Sequence, residues 1–177
     1  RNFRLQPWDW WFYAEKVRKA KYDLDDSALR PYFELENVRH GAYMVASKLY
    51  GITFTERTDL PKYQKDVRVF EVKDVDGSHL GILYVDYYPR PNKEGGAWMS
   101  NYREQRIRDG ADIRPVIVNN GNFSKPTADQ PALISFEEAT TLFHEFGHAL
   151  HGLLTKCTYE TLSGTNVRRD FVELFSQ

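Results

Sequence analysis

His144-Glu145-Phe146-Gly147-His148 reads H-E-x-x-H, and the residues on either side of it read as helix. Two histidines four apart on an α-helix lie about 40° apart around the axis and about 6 Å apart along it. That spacing suits two corners of a tetrahedral Zn2+ site. Glu145, beside the first histidine, is placed to take a proton from a water that such a site activates. The pentapeptide arises by chance in roughly one chain of this composition in a hundred, so its surroundings must support it. Ser135-Phe136-Glu137-Glu138 is a capping box, with Ser135 as N-cap and Glu138 three residues on. Apolar residues then recur at Phe136, Ala139, Leu142, Phe143, Phe146, Ala149, Leu150 and Leu153, a helical period. His144, His148 and His151 fall on the flank of that face. Gly147 costs about 1 kcal/mol of helix stability relative to Ala, and a small residue there lets another element come close. Three of the chain's five histidines fall within these eight residues, which an ordinary amphipathic helix does not require.

A hydrolytic zinc site takes three protein ligands and keeps one position open. The extended form H-E-x-x-H-x-x-G-x-x-H is excluded, because His151 stands in the Gly slot and Leu154 in the last His slot. The remaining downstream donors are carboxylates: Glu160, Asp170 and Glu173. Residues 169–175 read as the start of a second helix, on which Asp170 and Glu173, three apart, share a face. One of them could complete the site while the other orders a ligand histidine from behind.

The run Phe143-His144-Glu145-Phe146-Gly147-His148-Ala149-Leu150-His151-Gly152-Leu153-Leu154, followed by residues 163–177, resembles the thimet oligopeptidase family of zinc metallopeptidases. Residues 81–90, 93–99, 115–119 and 122–126 resemble its bacterial peptidyl-dipeptidase branch, as do Pro7-Trp8-Asp9-Trp10 and residues 13–18. The resemblance implies that Glu173, in Asp170-Phe171-Val172-Glu173, is the third ligand to one Zn2+, beside His144 and His148. Glu145 is then the general base, with Asp170 and His151 supporting the ligands. Gly96 and Ala97, at the start of an expected edge strand, are implied to hold an extended substrate as an added strand. The implied activity is hydrolysis of short peptides, with release of C-terminal dipeptides from the branch resemblance alone. Two residues depart from the pattern: Phe175 and Arg168 stand where proline is usual, and neither is a ligand. Family members are also much longer, with a Tyr- and His-rich segment downstream that stabilises the reacting carbonyl oxygen. Residues 1–177 begin with Arg1 and end four residues after Glu173. The expectation is therefore a fragment of a larger, mostly α-helical peptidase, binding zinc but nearly inactive without the remainder of the parent enzyme. The alternative is a non-catalytic, zinc-stabilised binding module, in which Glu145 has no use.

Composition agrees with a folded piece. Apolar content of 41% and aromatic content of 15% can fill a core and argue against disorder. A net charge of −1 gives no electrostatic case for nucleic acid or acidic membranes. No stretch approaches the about 20 apolar residues of a membrane helix. The single Cys157 cannot form an internal disulfide, so a cytoplasmic setting is expected, with a periplasmic one as the alternative. Its side chain is expected half-buried.

The expected fold class is α+β, with helices flanking a small, mainly antiparallel sheet and then a zinc-binding helix pair. Residues 1–51 read as helical, 52–122 as β-rich and 123–177 as the zinc-binding helices, all within one piece of a larger catalytic domain. Residues 8–22 read as a helix, with Trp8, Trp10 and Trp11 expected in the core. Residues 27–50 read as a second helix with an apolar stripe of Leu35, Val38, Ala42, Val45 and Leu49, Gly51 after its end, and His40 on the surface. Alternation over residues 67–72, a turn at Asp76-Gly77 and a return strand from Leu80 to Tyr88 predict a hairpin, with His79 facing solvent. Residues 113–118 read as one further strand at an edge or strand start because of Pro115, closed by a turn at 119–122. Residues 89–96 read as a mobile hinge loop. Arg103, Arg106 and Arg108 are expected on a solvated charged face, although such residues could also hold a substrate carboxylate.

Overall fold

The computed structural model describes residues 3–22 and 26–177. Helices α1 (Trp10–Tyr22), α2 (Asp26–Leu29) and α3 (Leu35–Tyr50) come first. Strands β1 (Thr53–Glu56), β2 (Arg68–Lys73), β3 (His79–Asp86), β4 (Trp98–Arg103), β5 (Arg106–Arg108), β6 (Ala111–Ile113) and β7 (Val116–Asn120) follow. The chain closes with α4 (Phe136–Leu154) and α5 (Arg169–Val172). The sheet order is β1-β2-β3-β7-β4, with β5 and β6 forming a separate hairpin. Every pair in the large sheet is antiparallel except β3 with β7. This is the expected α+β class.

The β2–β3 hairpin forms where alternation and Asp76-Gly77 place it, and Gly77 takes the left-handed φ of 83° that such a turn needs. Glu71 and His79 pair across it at 3.1 Å, with His79 exposed. Gly51 ends α3 in the left-handed conformation, its N–H donating to the Ser47 carbonyl.

Helix α4 lies across β3, β7 and β4. The contact is close because small residues permit it. A Cβ on Gly152 would meet Ile117 and, at 2.9 Å, Met99; one on Gly81 would meet Leu153 at 2.8 Å. Leu83, Val85 and Ile117 from the sheet, Leu142, Phe146, Ala149 and Leu153 from α4, and Leu35, Tyr43 and Ala46 from α3 form one buried core. Burying a side chain of this size contributes about 1.5–3 kcal/mol. The Ser135–Glu138 capping box is formed in both directions, at 3.0 and 2.7 Å.

Several expectations are corrected. The second helix is broken: a 3-10 turn at Arg30–Tyr32 separates α2 from α3, with Pro31 unable to donate a helical hydrogen bond. The buried stripe of α3 is Leu35, Arg39, Ala42, Tyr43 and Ala46, rotated so that Val45 and Leu49 are exposed. Arg39 can take a core position because it pairs with Glu36 at 2.8 Å and stacks on Tyr43 and Phe70. Helix α1 buries no residue, and Trp8, Trp10 and Trp11 are exposed. Phe136 and Phe143 on α4 are exposed as well, beside Tyr32, Phe33 and Val38 in an apolar groove. The run at 113–118 divides at Arg114-Pro115 into β6 and β7; β7 is interior, and Pro115 fits by standing just before it and offering its carbonyl to the Ile82 N–H. Asn119 and Asn120 belong to this strand rather than to a turn.

A last correction concerns residues 89–96, which are fastened rather than free. The Lys93 side chain is buried, and its ammonium donates to Asp86 Oδ1 at 3.0 Å and to the carbonyls of Asp86, Tyr88 and Gly121. Arg103 donates to the Arg114 carbonyl, and Arg106 pairs with Glu160 at 2.7 Å, so both serve the surface, as expected.

Candidate metal centre

His144 and His148 project from the middle of α4, held by the cap at one end and the sheet contacts beneath. Glu173 comes from the short segment after α5, where it ends that helix with φ −82° and ψ −1°. The expected second helix over 169–175 is thus one turn of four residues, with Glu173 just beyond it. Glu173 Oε2 lies 3.2 Å from His144 Nε2 and 3.3 Å from His148 Nε2. Three donor atoms, one from each side chain, all lie within 4.8 Å of one another. A tetrahedral ion with bonds of about 2.0–2.2 Å separates its ligands by roughly 3.3 Å, which both distances from Glu173 match. The set of two imidazoles and one carboxylate leaves one corner for a reactant.

The close approach that brings Glu173 in depends on Gly147. A Cβ there would collide with the Phe175 carbonyl oxygen and sit 2.7 Å from Ser176 Cα. The glycine between the two histidines is therefore the seat of the segment carrying the third donor. Ser176 Oγ donates to Glu173 Oε2 at 2.7 Å. That bond is the main cause holding the Glu173 carboxyl below the usual range, with His148 and His144 adding to it. His151 does not hydrogen-bond a ligand. Its ring packs at a tilt against Phe175, with centroids 4.4 Å apart, and lies against Phe171. Asp170 is exposed, and among the described residues the buried Nδ1 atoms of His148 and His151 have no hydrogen-bond partner, so no carboxylate from α5 orders them here.

Glu145 is half-buried beside the two histidines. Burial pushes its carboxyl up, the charge of Glu173 adds to this, and His148, His144 and the Met99 backbone oppose it. The strand beneath contributes a contact that sequence reading missed. Asn119 on β7 is buried, and its side-chain amide donates to the Glu145 main-chain carbonyl at 2.8 Å. The signal for it was a polar residue inside a Val-Ile-Val-Asn-Asn run, where a buried amide must find a partner.

Ala97, Trp98 and Met99, at the start of β4, line a cleft with His144, Glu145, His148, Thr165, Val172 and Glu173. The cleft has a volume of about 410 Å3. Strand β4 is an edge of the sheet. Gly96 does not line the cleft but precedes Ala97 with a φ of 85°, a conformation that favours glycine. Cys157 is half-buried, as expected, and its thiol donates to the Leu162 carbonyl. No helix among the described residues is long and apolar enough to cross a membrane.

The whole chain, residues 1–177, matches the model of peptidase family M3. It is 52% identical over 177 residues to the dipeptidyl carboxypeptidase of Escherichia coli K12, covering 99% of this chain and 26% of that protein. It is 43% identical over 175 residues to oligopeptidase A of the same organism, covering 98% of this chain and 26% of that protein. Similarity to the thimet-like oligopeptidase of Dictyostelium discoideum is 35% over 170 residues, covering 94% of this chain and 25% of that protein. The chain thus spans about a quarter of the length of the curated relatives it matches.

Proposed function

The chain belongs to peptidase family M3, and from that premise we propose that residues 1–177 are one piece of the catalytic domain of a zinc peptidase acting on short peptides. The observation that carries the proposal is the convergence of His144, His148 and Glu173 at 3.2–3.3 Å, with Glu145 beside them in a cleft walled by an edge strand. His144, His148 and Glu173 would hold one Zn2+. When bound, the ion supplies a Lewis acid for the scissile carbonyl and lowers the pKa of water from about 16 towards about 7. Glu145 accepts the proton of the attacking water and delivers it to the leaving amine nitrogen. Its partly buried position suits that double duty, since burial makes the carboxylate a better base. Asn119 holds the helix backbone at Glu145 and so fixes where that carboxylate starts.

The edge of β4 would receive the peptide as an added strand, with Gly96 and Ala97 at its start. Release of C-terminal dipeptides is proposed from similarity to the dipeptidyl carboxypeptidase. The residues that stabilise the developing oxyanion would lie in the remainder of the parent enzyme, so the 177-residue piece binds zinc and turns over little. A cytoplasmic location is proposed from the single unpaired Cys157.

The test is zinc stoichiometry of the purified chain, with peptide hydrolysis by the full-length enzyme. One zinc per chain, lost in His144→Ala and Glu173→Ala, is expected. Glu145→Gln should keep the zinc while hydrolysis falls by at least about a hundredfold. Unchanged hydrolysis in that variant removes Glu145 from the mechanism and favours a metal-stabilised binding module.

A further inference from the structure

We propose that Lys93 and Asn122 are positioning residues that clamp the 89–96 loop, so that Gly96 and Ala97 stand ready at the cleft mouth for an extended peptide. The proposal rests on the peptidase reading for its functional half.

The loop leaves the end of β3 and returns into β4, the strand that walls the cleft. Side-chain packing does not fix Gly95 and Gly96, which have no side chain to pack. A Cβ added at Gly95 or Gly96 meets no atom within 4 Å. What holds this stretch is hydrogen bonding. The Asn122 side-chain amide donates to the carbonyls of both Glu94 and Gly96, each at 2.8 Å. Asn122 follows the last residues of β7, which is the strand paired with β4, so the clamp references the loop to the neighbouring strand.

Lys93 secures the other side of the same loop. Its ammonium, with the side chain 2% exposed, gathers the Asp86 carboxylate and the carbonyls of Asp86, Tyr88 and Gly121. Arg90 on the same loop reaches Asp86 Oδ1 at 2.8 Å, and Tyr63 donates to Asp86 Oδ2 at 2.8 Å. A buried ammonium needs such a cage, and this one ties the loop to the ends of β3 and β7 at once. Both contacts converge on one result: a Gly-rich stretch with φ of 85° at Gly96 has its backbone set before a substrate arrives. Adding a peptide strand to an edge that is already ordered avoids the entropy of ordering it on binding.

The clamp therefore acts on substrate binding and not on the metal or the base. Asn122 is partly exposed and its side-chain amide hydrogen-bonds the loop carbonyls, so Asn122→Ala tests it without opening the core. Asn122→Asp keeps the shape and removes the donor. In the zinc-loaded full-length enzyme, both variants should raise KM for a short peptide about tenfold, with kcat within about twofold and zinc content unchanged. Amide hydrogen exchange across residues 95–98 should quicken by about tenfold or more in both. Lys93→Met should show the same pattern, larger in exchange. Unaltered exchange at 95–98 in Asn122→Ala and Lys93→Met overturns the clamp, and so does a fall in kcat at constant KM. A wild-type enzyme that hydrolyses no peptide overturns the peptidase reading instead, and the exchange measurement then decides the clamp by itself.

Discussion

The two histidine donors and the carboxylate donor stand on supports of very different strength. His144 and His148 ride on a helix of 19 residues that is capped at Ser135 and bedded on the sheet. Glu173 hangs from a single helical turn with no buried residue, seated against α4 at Gly147. One half of the centre is built by the core, and the other is delivered by backbone contact and one hydroxyl. The difference teaches that one centre can draw its donors from core packing on one side and from close backbone contact on the other. Histidine positions are set by the capped helix, whereas the carboxylate is set by the contact at Gly147 and the Ser176 hydroxyl.

This contrast can be broken from either side. The largest effect should come from Asp86→Asn, deep in the sheet half. It leaves the buried Lys93 ammonium without its carboxylate, at a cost of about 3–5 kcal/mol in unfolding free energy. Zinc affinity of the folded fraction should change little. The same residue gives a pH signature. Burial pushes the Asp86 carboxyl up, but hydrogen bonds from Arg90, Lys93 and Tyr63 outweigh it and hold the group below its usual range. A depressed folded pKa means that the contribution is complete above the unfolded value of about 3.9 and is lost as pH falls through the folded one. Urea unfolding at about pH 5 and about pH 2.5 should therefore show a smaller acid loss in Asp86→Asn than in the wild type.

Gly147→Ala should act in the opposite sense. The new methyl displaces the Phe175–Ser176 backbone and with it Glu173, so zinc affinity should fall by about a hundredfold, or about 2.7 kcal/mol. Helix propensity gains at the same position, so stability of the metal-free chain should hold or rise slightly. A competition titration with a zinc chelator, beside thermal unfolding of the metal-free form, separates the two. Equal loss of stability and affinity would mean that the halves are not independent.

Ser135→Ala sharpens the comparison at its smallest. Loss of the cap should cost about 1 kcal/mol of stability with zinc affinity within about threefold of wild type. A large affinity loss in this variant would show that the helix end, ten residues from Glu145, reaches the site.

Much of the centre was legible because its chemistry is local. Two donors and a base lie within five residues on one helix, and the capping box that starts this helix is also local. The hairpin at Asp76-Gly77 was legible for the same reason, since turn and alternation are read within a dozen residues. The α3 stripe was misread because a buried Arg39 is allowed only by Glu36, Tyr43 and Phe70 around it, which periodicity does not weigh. The 89–96 loop reads as a hinge by composition, while its fastening depends on partners at Asp86, Gly121 and Asn122. Helix α1 was correctly read as a helix, but its aromatic residues meet no core, because period alone does not say what a face will meet.

By itself the sequence determined the H-E-x-x-H helix, its cap, the α+β class and, through resemblance, the carboxylate that completes the metal set. Spacing along a helix converts directly into distance, so these needed no partner from elsewhere. Tertiary structure alone decided that Gly147 seats the Glu173 segment, that β7 is interior and supports Glu145 through Asn119, and that β4 walls the cleft. Each of those depends on backbone from distant parts of the chain meeting at van der Waals or hydrogen-bond distance, and no local pattern encodes such a meeting.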